Sequence, residues 1–320
     1  MESMRKEDED RCKTQEHKLE IVWRNVLIFA YLHMAGVYGA YLMVTRASWY
    51  TIAWAAWLYL YGGFGITGGA HRLWAHRTYK AKWPLRVLAA IAQTVAGQND
   101  IYEWSRDHRV HHKFSETDAD PHNARRGFFF AHVGWLLCKK HRDVKRRGAA
   151  VDVSDLLQDP VVRFQRKFYV PLLVLCCFVL PALVPCYLWG ESLQTAFFVA
   201  SMFRYCWTLN ATWLVNSAAH LWGNHPYDVH INPVENKCVS VLTWGEGWHN
   251  YHHTFPCDYK AAELGDYSLN VTTAVIDMFA ALGLAYDLKT VSHNVIRARV
   301  QRTGDGTHPS FSMQDSHVTQ

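Results

Sequence analysis

Histidine is unevenly distributed in this 320-residue chain. Of its 19 histidines, eight fall into three tight groups: His71 and His76 in HRLWAH, His108, His111 and His112 in HRVHH, and His249, His252 and His253 in HNYHH. Neutral imidazole is the commonest metal-ligating side chain. The second and third groups space their histidines at i, i+3 and i+4, which a helix turns onto one face. His71 and His76 lie about 140° apart on a regular helix, so they converge only where the winding changes. A tetrahedral site takes four ligands, so this many imidazoles point to two metal ions. A ninth candidate is His220 in NSAAH; Asn216, one turn before it, is placed to reach a metal through water. Zinc suits imidazole as redox metals do, although it has no redox chemistry of its own. Glu103, Asp107, Glu116, Asp118, Asp120 and Glu246 are the carboxylates available to orient the rings. His33, His122, His132, His141, His225 and His230 are read as ordinary core or solvated histidines.

The elements that must position these groups are membrane spans. Half of the chain is hydrophobic, and the apolar residues are blocked rather than dispersed. Four segments are expected to cross a bilayer: about 25–44, 49–70, 168–189 and 192–216. A span needs roughly 20 apolar residues at ~1.5 Å rise each. Pro171, Pro181 and Pro185 predict kinks in the third. Arg204 inside the fourth must face protein or snorkel. The loop between the second and third spans is long and rich in Lys and Arg, whereas the two opposite loops are very short. The positive-inside rule therefore puts both termini and all three histidine groups on the cytosolic face. Residues 84–98 form an apolar stretch too short to span, expected at the interface or buried. No cleavable signal peptide is expected before the first span, because the first twenty residues are charged and lack a short apolar core. The eight cysteines form no C-x-x-C pair, which argues against a disulfide framework and for a reducing compartment. The expectation is an all-α integral membrane protein: four transmembrane helices with a cytosolic helical cap holding a histidine-rich di-metal site. Residues 1–24 form a cytosolic N-terminal segment, 25–300 the working domain and 301–320 a flexible tail.

The chain resembles the membrane acyl-CoA desaturases of the stearoyl-CoA (Δ9) type, in their arthropod form above all. The resemblance rests on GITGGAHRLWAHRTYKA, QNDIYEWSRDHRVHHKFSETDADPHN, NATWLVNSAAHLWG, PVEN and GEGWHNYHHTFP, in that order. Cys257 and Gly97 stand where the family usually has aromatic residues. The resemblance implies two iron ions (Fe2+) held by His71, His76, His108, His111, His112, His220, His249, His252 and His253, with Asn216 joining through water. No catalytic residue beyond these ligands is expected. It also implies a long-chain fatty acyl-CoA substrate, touched by Asn25, Asn99, Arg106, Asp107, Lys139, Lys140 and Trp213, with Arg and Lys holding its phosphates. Tyr59 and Gly63, four apart on the second span, are expected to set the depth of an apolar tunnel. Electrons are expected from cytochrome b5 and its NADH-dependent reductase, as separate proteins drawn to the basic cytosolic face.

The reaction implied is insertion of a cis double bond at Δ9 using O2, in a multi-pass protein of the endoplasmic reticulum membrane. Two enzymatic alternatives share the histidine pattern: a fatty-acyl hydroxylase, and a desaturase of other regioselectivity such as Δ11, used in pheromone synthesis. A membrane metal transporter is the non-enzymatic alternative. It needs polar residues along its spans, and the first and third have almost none. Membrane lipid is an expected partner; nucleic acid is not.

Overall fold

The computed structural model describes residues 19–263 and 267–310, and almost all of its regular structure is helical. The N-terminal segment is therefore described only from residue 19, and the tail only as far as residue 310. Helix α1 (Trp23–Thr45) carries no Lys, Arg, Asp or Glu beyond Arg24. It buries Leu32, Ala35, Gly36, Gly39 and Leu42, spaced three and four apart, and exposes Leu27, Tyr31, Met34, Val37, Tyr41 and Val44. Gly39 is required by a close approach, because a Cβ there would lie 2.1 Å from the Phe198 carbonyl oxygen.

Helix α2 (Trp49–Phe64) starts at Ser48, whose hydroxyl accepts from the Thr51 amide. It passes without a break into a π-helical segment, Gly65–Ala75, every residue of which is buried. Helix α3 (Trp83–Ala96) corresponds to the apolar stretch expected at the interface or buried, and it buries one face and exposes the other. Leu85, Ala89 and Ala92 are buried while Trp83, Leu88 and Ile91 are exposed. Helix α4 (Ile101–Phe114) is capped by Asp100, which accepts from the Glu103 amide at 2.9 Å.

Helix α5 (Pro160–Lys167) leads to α6 (Tyr169–Trp189), whose middle, Val174–Val179, is π-helical, next to the prolines that predicted a kink. Residues 193–203 wind through a short helical turn and a further π segment into α7 (Arg204–Asn216). Arg204 faces protein: its guanidinium donates to Val95 O and Cys177 O at 2.7 Å each and to Ala200 O at 3.2 Å. Three carbonyl acceptors replace the water that a buried guanidinium would otherwise need, and they join α3, α6 and α7.

Two turns at one end of the bundle are fastened together. The Glu191 carboxylate accepts from the Ser48 amide at 3.0 Å and the Thr51 hydroxyl at 2.7 Å. At the other end lie α8 (Lys237–Thr243), α9 (His249–Thr254), α10 (Val271–Ala281) and α11 (His293–Thr303). A two-residue antiparallel pairing, Lys80–Ala81 with Ala285–Tyr286, clamps the chain after α10 to the segment after the π helix. Residues 301–303 complete α11, and Thr303 donates to Tyr227 O at 2.7 Å.

Helical stretches occupy all four segments expected to span. Of these, Trp23–Thr45 and Tyr169–Trp189 are long and apolar enough to cross a membrane by length and composition. Their outward faces are apolar and exposed, the inverse of a soluble protein's surface.

Candidate metal centre

The π-helical winding at 65–75 places the first histidine pair. An i→i+5 helix stacks residues five apart, and the rings of His71 and His76 stand 4.9 Å apart, centroid to centroid. Helix α4 presents His108, His111 and His112. Arg109 anchors that helix to the end of the π segment, donating to Trp74 O at 2.6 Å, to Ala75 O at 3.0 Å and to both Asp155 oxygens at 2.7–2.8 Å. Helix α9 presents His249, His252 and His253. The chain breaks at Ser217, and the short turn Ala218–Leu221 swings His220 into the same space.

The nine predicted histidines gather into two sets of possible metal ligands. One contains His71, His76, His108, His112 and His252; the other contains His111, His220, His249 and His253. Within each set the ligand atoms lie within 4.8 Å of one another. Nε2 faces Nε2 between His71 and His252 at 2.9 Å, His76 and His108 at 2.8 Å, and His220 and His249 at 3.0 Å. The stacked rings of His112 and His253, 4.0 Å apart, join the two sets.

Three carboxylates fix tautomers. Glu246 accepts from His71 Nδ1 at 2.7 Å, Asp120 from His111 Nδ1 at 2.9 Å and Glu116 from His220 Nδ1 at 2.7 Å. Each places the proton on Nδ1 and leaves the Nε2 lone pair pointing inward. Nitrogen lone pairs opposed at such distances repel unless a cation lies between them. All-imidazole donors, without thiolate or carboxylate in either set, suit a divalent transition metal.

Electrostatics agree. Burial pulls His111 down, but Asp120 outweighs it and raises the ring. Burial first, then neighbouring imidazoles, push His76, His108, His112, His249, His252 and His253 well below 6.5. These rings are neutral, as ligation requires. An unfolded chain takes up protons near pH ~6.5 that the folded metal-free protein refuses. Stability of the metal-free protein is therefore full above that pH and falls as pH drops below it. Chelator-stripped protein is expected to melt at steadily lower temperature between about pH 7 and about pH 5. A constant melting temperature over that range would contradict the packing described.

Other expectations are redistributed. Asp107 and Glu103 do not reach histidines; Arg106 donates to Asp107 at 2.7 Å, and Lys140 pairs with Asp107 too. Asp118 is exposed. His122, read from sequence as ordinary, packs its ring 4.4 Å from His111 and lies beside Asp120. Burial and His111 push it down to about 3. His132, also passed over, bonds the Ser217 hydroxyl at 3.0 Å and Asn210 at 3.2 Å, bracing the break that aims His220.

Two cavities meet beside the metal ligands. The inner one is apolar, lined by Tyr59, Gly63, Ile66, Leu242, Thr243 and Trp244 among others; the outer one is lined by Phe29, Asn99, Asp107, Trp135, Tyr205 and Trp213 among others. Both are bordered by Trp104, His108, Thr212 and Asn216. Asn216 is thus placed at the junction, and Tyr59 and Gly63 face the same inner space. Arg106, Asp107 and Lys140 line a polar surface groove that shares Asp107 with the outer cavity. Asn25 and Lys139 line neither cavity; they sit on the nearby rim, where Asn25 donates to Leu136 O at 2.8 Å and Lys139 pairs with Glu20. Trp104, Thr212 and Trp244 were missed from sequence. Trp104 precedes His108 by one helical turn, and that spacing was a usable signal.

Residues 47–267 match the model of the fatty acid desaturase family. The chain is 60% identical over 306 residues to an acyl-CoA Δ9 desaturase of Acheta domesticus, covering 96% of this chain and 85% of that one. It is 57% identical to an acyl-CoA Δ12 desaturase of the same species, covering 95% and 85%. Against the stearoyl-CoA desaturase of Homo sapiens the identity is 57%, covering 92% and 81%.

Proposed function

Because the chain belongs to the fatty acid desaturase family and is an acyl-CoA desaturase, we propose that it inserts a cis Δ9 double bond into saturated long-chain acyl-CoA at a pair of iron ions. The observation that carries this reading is the junction of the two cavities. An acyl chain running from the outer cavity to the inner one passes Trp104, Thr212 and Asn216 with His108 at its side. Such a chain is confined to one path, and fixing one carbon against a reacting centre is worth several kcal/mol of barrier.

His71, His76, His108, His112 and His252 would hold one iron, and His111, His220, His249 and His253 the other, with Asn216 joining through water. When bound, the irons supply the O2-dependent redox chemistry that side chains lack. The protein's own groups do the rest. Glu246, Asp120 and Glu116 hold protons on Nδ1 and so orient three rings. Arg106 and Lys140 offer cationic donors to the phosphates of coenzyme A at the groove, while Asn99, Asp107 and Trp213 line the cavity that receives the thioester end. Asn25 and Lys139 add polar donors on its rim. Tyr59, which lines the inner cavity, donates to Leu242 O.

The four helical stretches are read as four spans, with both termini and the metal centre cytosolic in the endoplasmic reticulum membrane. The exposed cations Lys113, Arg125, Arg126, Lys145, Arg146 and Arg147 suit an acidic electron donor, for which cytochrome b5 and its reductase are proposed. The match to the fatty acid desaturase family favours this reading over a transporter.

The test is expression in desaturase-deficient yeast with mapping of double-bond positions. The expected result is rescue of growth, with Δ9 monounsaturated C16 and C18 chains. Hydroxylated chains, or double bonds at another carbon, would refute the Δ9 assignment. Absence of any unsaturated product would refute the substrate reading.

A further inference from the structure

Trp244 borders two apolar spaces at once. Its indole lines the inner cavity with Tyr59 and Gly63, and it also lines a groove formed by Trp57, Leu60, Phe64, Val271 and Phe279. Trp57 and Leu60 are 48% and 49% exposed, so this groove opens on the outside of the bundle, where lipid would lie. The ring packs on Tyr59 with centroids 4.5 Å apart. It covers Gly63 so closely that a Cβ there would fall 1.3 Å from Trp244 Cζ3.

The backbone holds the indole in that wall. Trp244 has φ 54 and ψ 36, the left-handed region that a bulky residue rarely adopts. Gly245 follows at φ 119, its amide donating to Ser240 O at 3.0 Å, while the Trp244 carbonyl accepts from Thr272 at 3.2 Å. Strain of this kind persists only where the surroundings impose it, and it recurs at ligand clamps.

We propose that Trp244 is the partition that ends the acyl tunnel, a residue that determines the longest chain accepted. One indole separates the methyl end of a bound chain from a groove open to lipid. Without it, the two spaces become one passage, and a chain several methylenes longer extends through the wall. The assignment rests on the reading of the inner cavity as the acyl site.

The test is competition between stearoyl-CoA and its C22 homologue, at equal concentration, in membranes supplied with reductant. The readout is the ratio of the two unsaturated products by mass spectrometry, whatever the absolute rate. The wild type should favour C18 by at least ~10-fold, and Trp244→Ala should raise the C22 share by ~10-fold, the scale on which pockets discriminate methylenes. Trp244→Phe, which keeps a smaller ring over Gly63, should shift the ratio less in the same direction. A wild type that handles C22 as readily as C18 overturns the proposal. So does an unchanged ratio in either variant that retains its metal. A wild type that makes no unsaturated product from either chain refutes instead the acyl-CoA reading on which the proposal rests.

Discussion

Replacing His111 with alanine is expected to abolish desaturation and to halve the bound metal, leaving a protein that still folds. His111 belongs to the four-histidine set, which has no spare imidazole, whereas the other set has five. With three ligands left, the second site falls short of the four that hold a closed imidazole site. The loss should be local. His111 sits on α4, whose anchorage runs through Arg109 and its bonds to Asp155, Trp74 and Ala75, on another face of the helix. Metal content by elemental analysis and product by gas chromatography would be read on the same purified sample. Asp120→Asn is the graded companion: it keeps a hydrogen-bond acceptor but loses the charge that holds His111 as the Nδ1–H tautomer, and such orienting partners are worth ~10–100-fold. Full metal occupancy in His111→Ala would remove His111 from the ligand set.

The spacing of the histidines carried most of this site because two of the three groups lie on regular helices, where i, i+3 and i+4 have one geometric meaning. His71 and His76 were legible in kind, since a five-residue separation demanded altered winding, and the π segment supplies it. His220 needed a helix break at Ser217, for which the sequence has no periodic signal. Partner choice was less legible. Six carboxylates stood near the clusters, yet Glu246, Asp120 and Glu116 alone among them reach a ligand ring. Lys140 claims Asp107 by packing across a loop that local spacing does not record, and Arg106, its neighbour on the same helix, shares it. The tunnel wall was least legible. Gly63 read as a position that sets tunnel depth, but what covers it is Trp244, more than 170 residues later on a left-handed backbone.

Removing the Glu246 carboxylate should cost much stability, because it serves a buried cation, Arg72, and a ligand ring, His71, at once. It accepts from His71 Nδ1 at 2.7 Å and from Arg72 at 2.8 Å, and the Arg72 side chain is 1% exposed. Arg72 also donates to Tyr259 O at 3.0 Å and the Thr273 hydroxyl at 2.9 Å, so truncating Glu246 does not free it to reach water. Stranding one partner of a buried pair typically costs ~3–5 kcal/mol, and losing the orienting acceptor of His71 adds ~10–100-fold in metal affinity. Burial alone would raise the Glu246 carboxyl, but His71 and Arg72 outweigh it and hold it at about 2. Its contribution is therefore complete above the unfolded value of ~4.3 and is lost only as pH falls through about 2. The deficit of Glu246→Ala should accordingly be constant from about pH 5 upward, unlike the histidine-driven loss of the metal-free protein, which begins near pH ~6.5. Glu246→Gln separates the two roles. The amide oxygen still accepts from His71 and so preserves much of the metal affinity, while Arg72 stays unneutralised and the melting temperature stays low. Melting curves and metal titrations of both variants would decide it; an alanine variant as stable as the wild type would show that Arg72 is neutralised by other means.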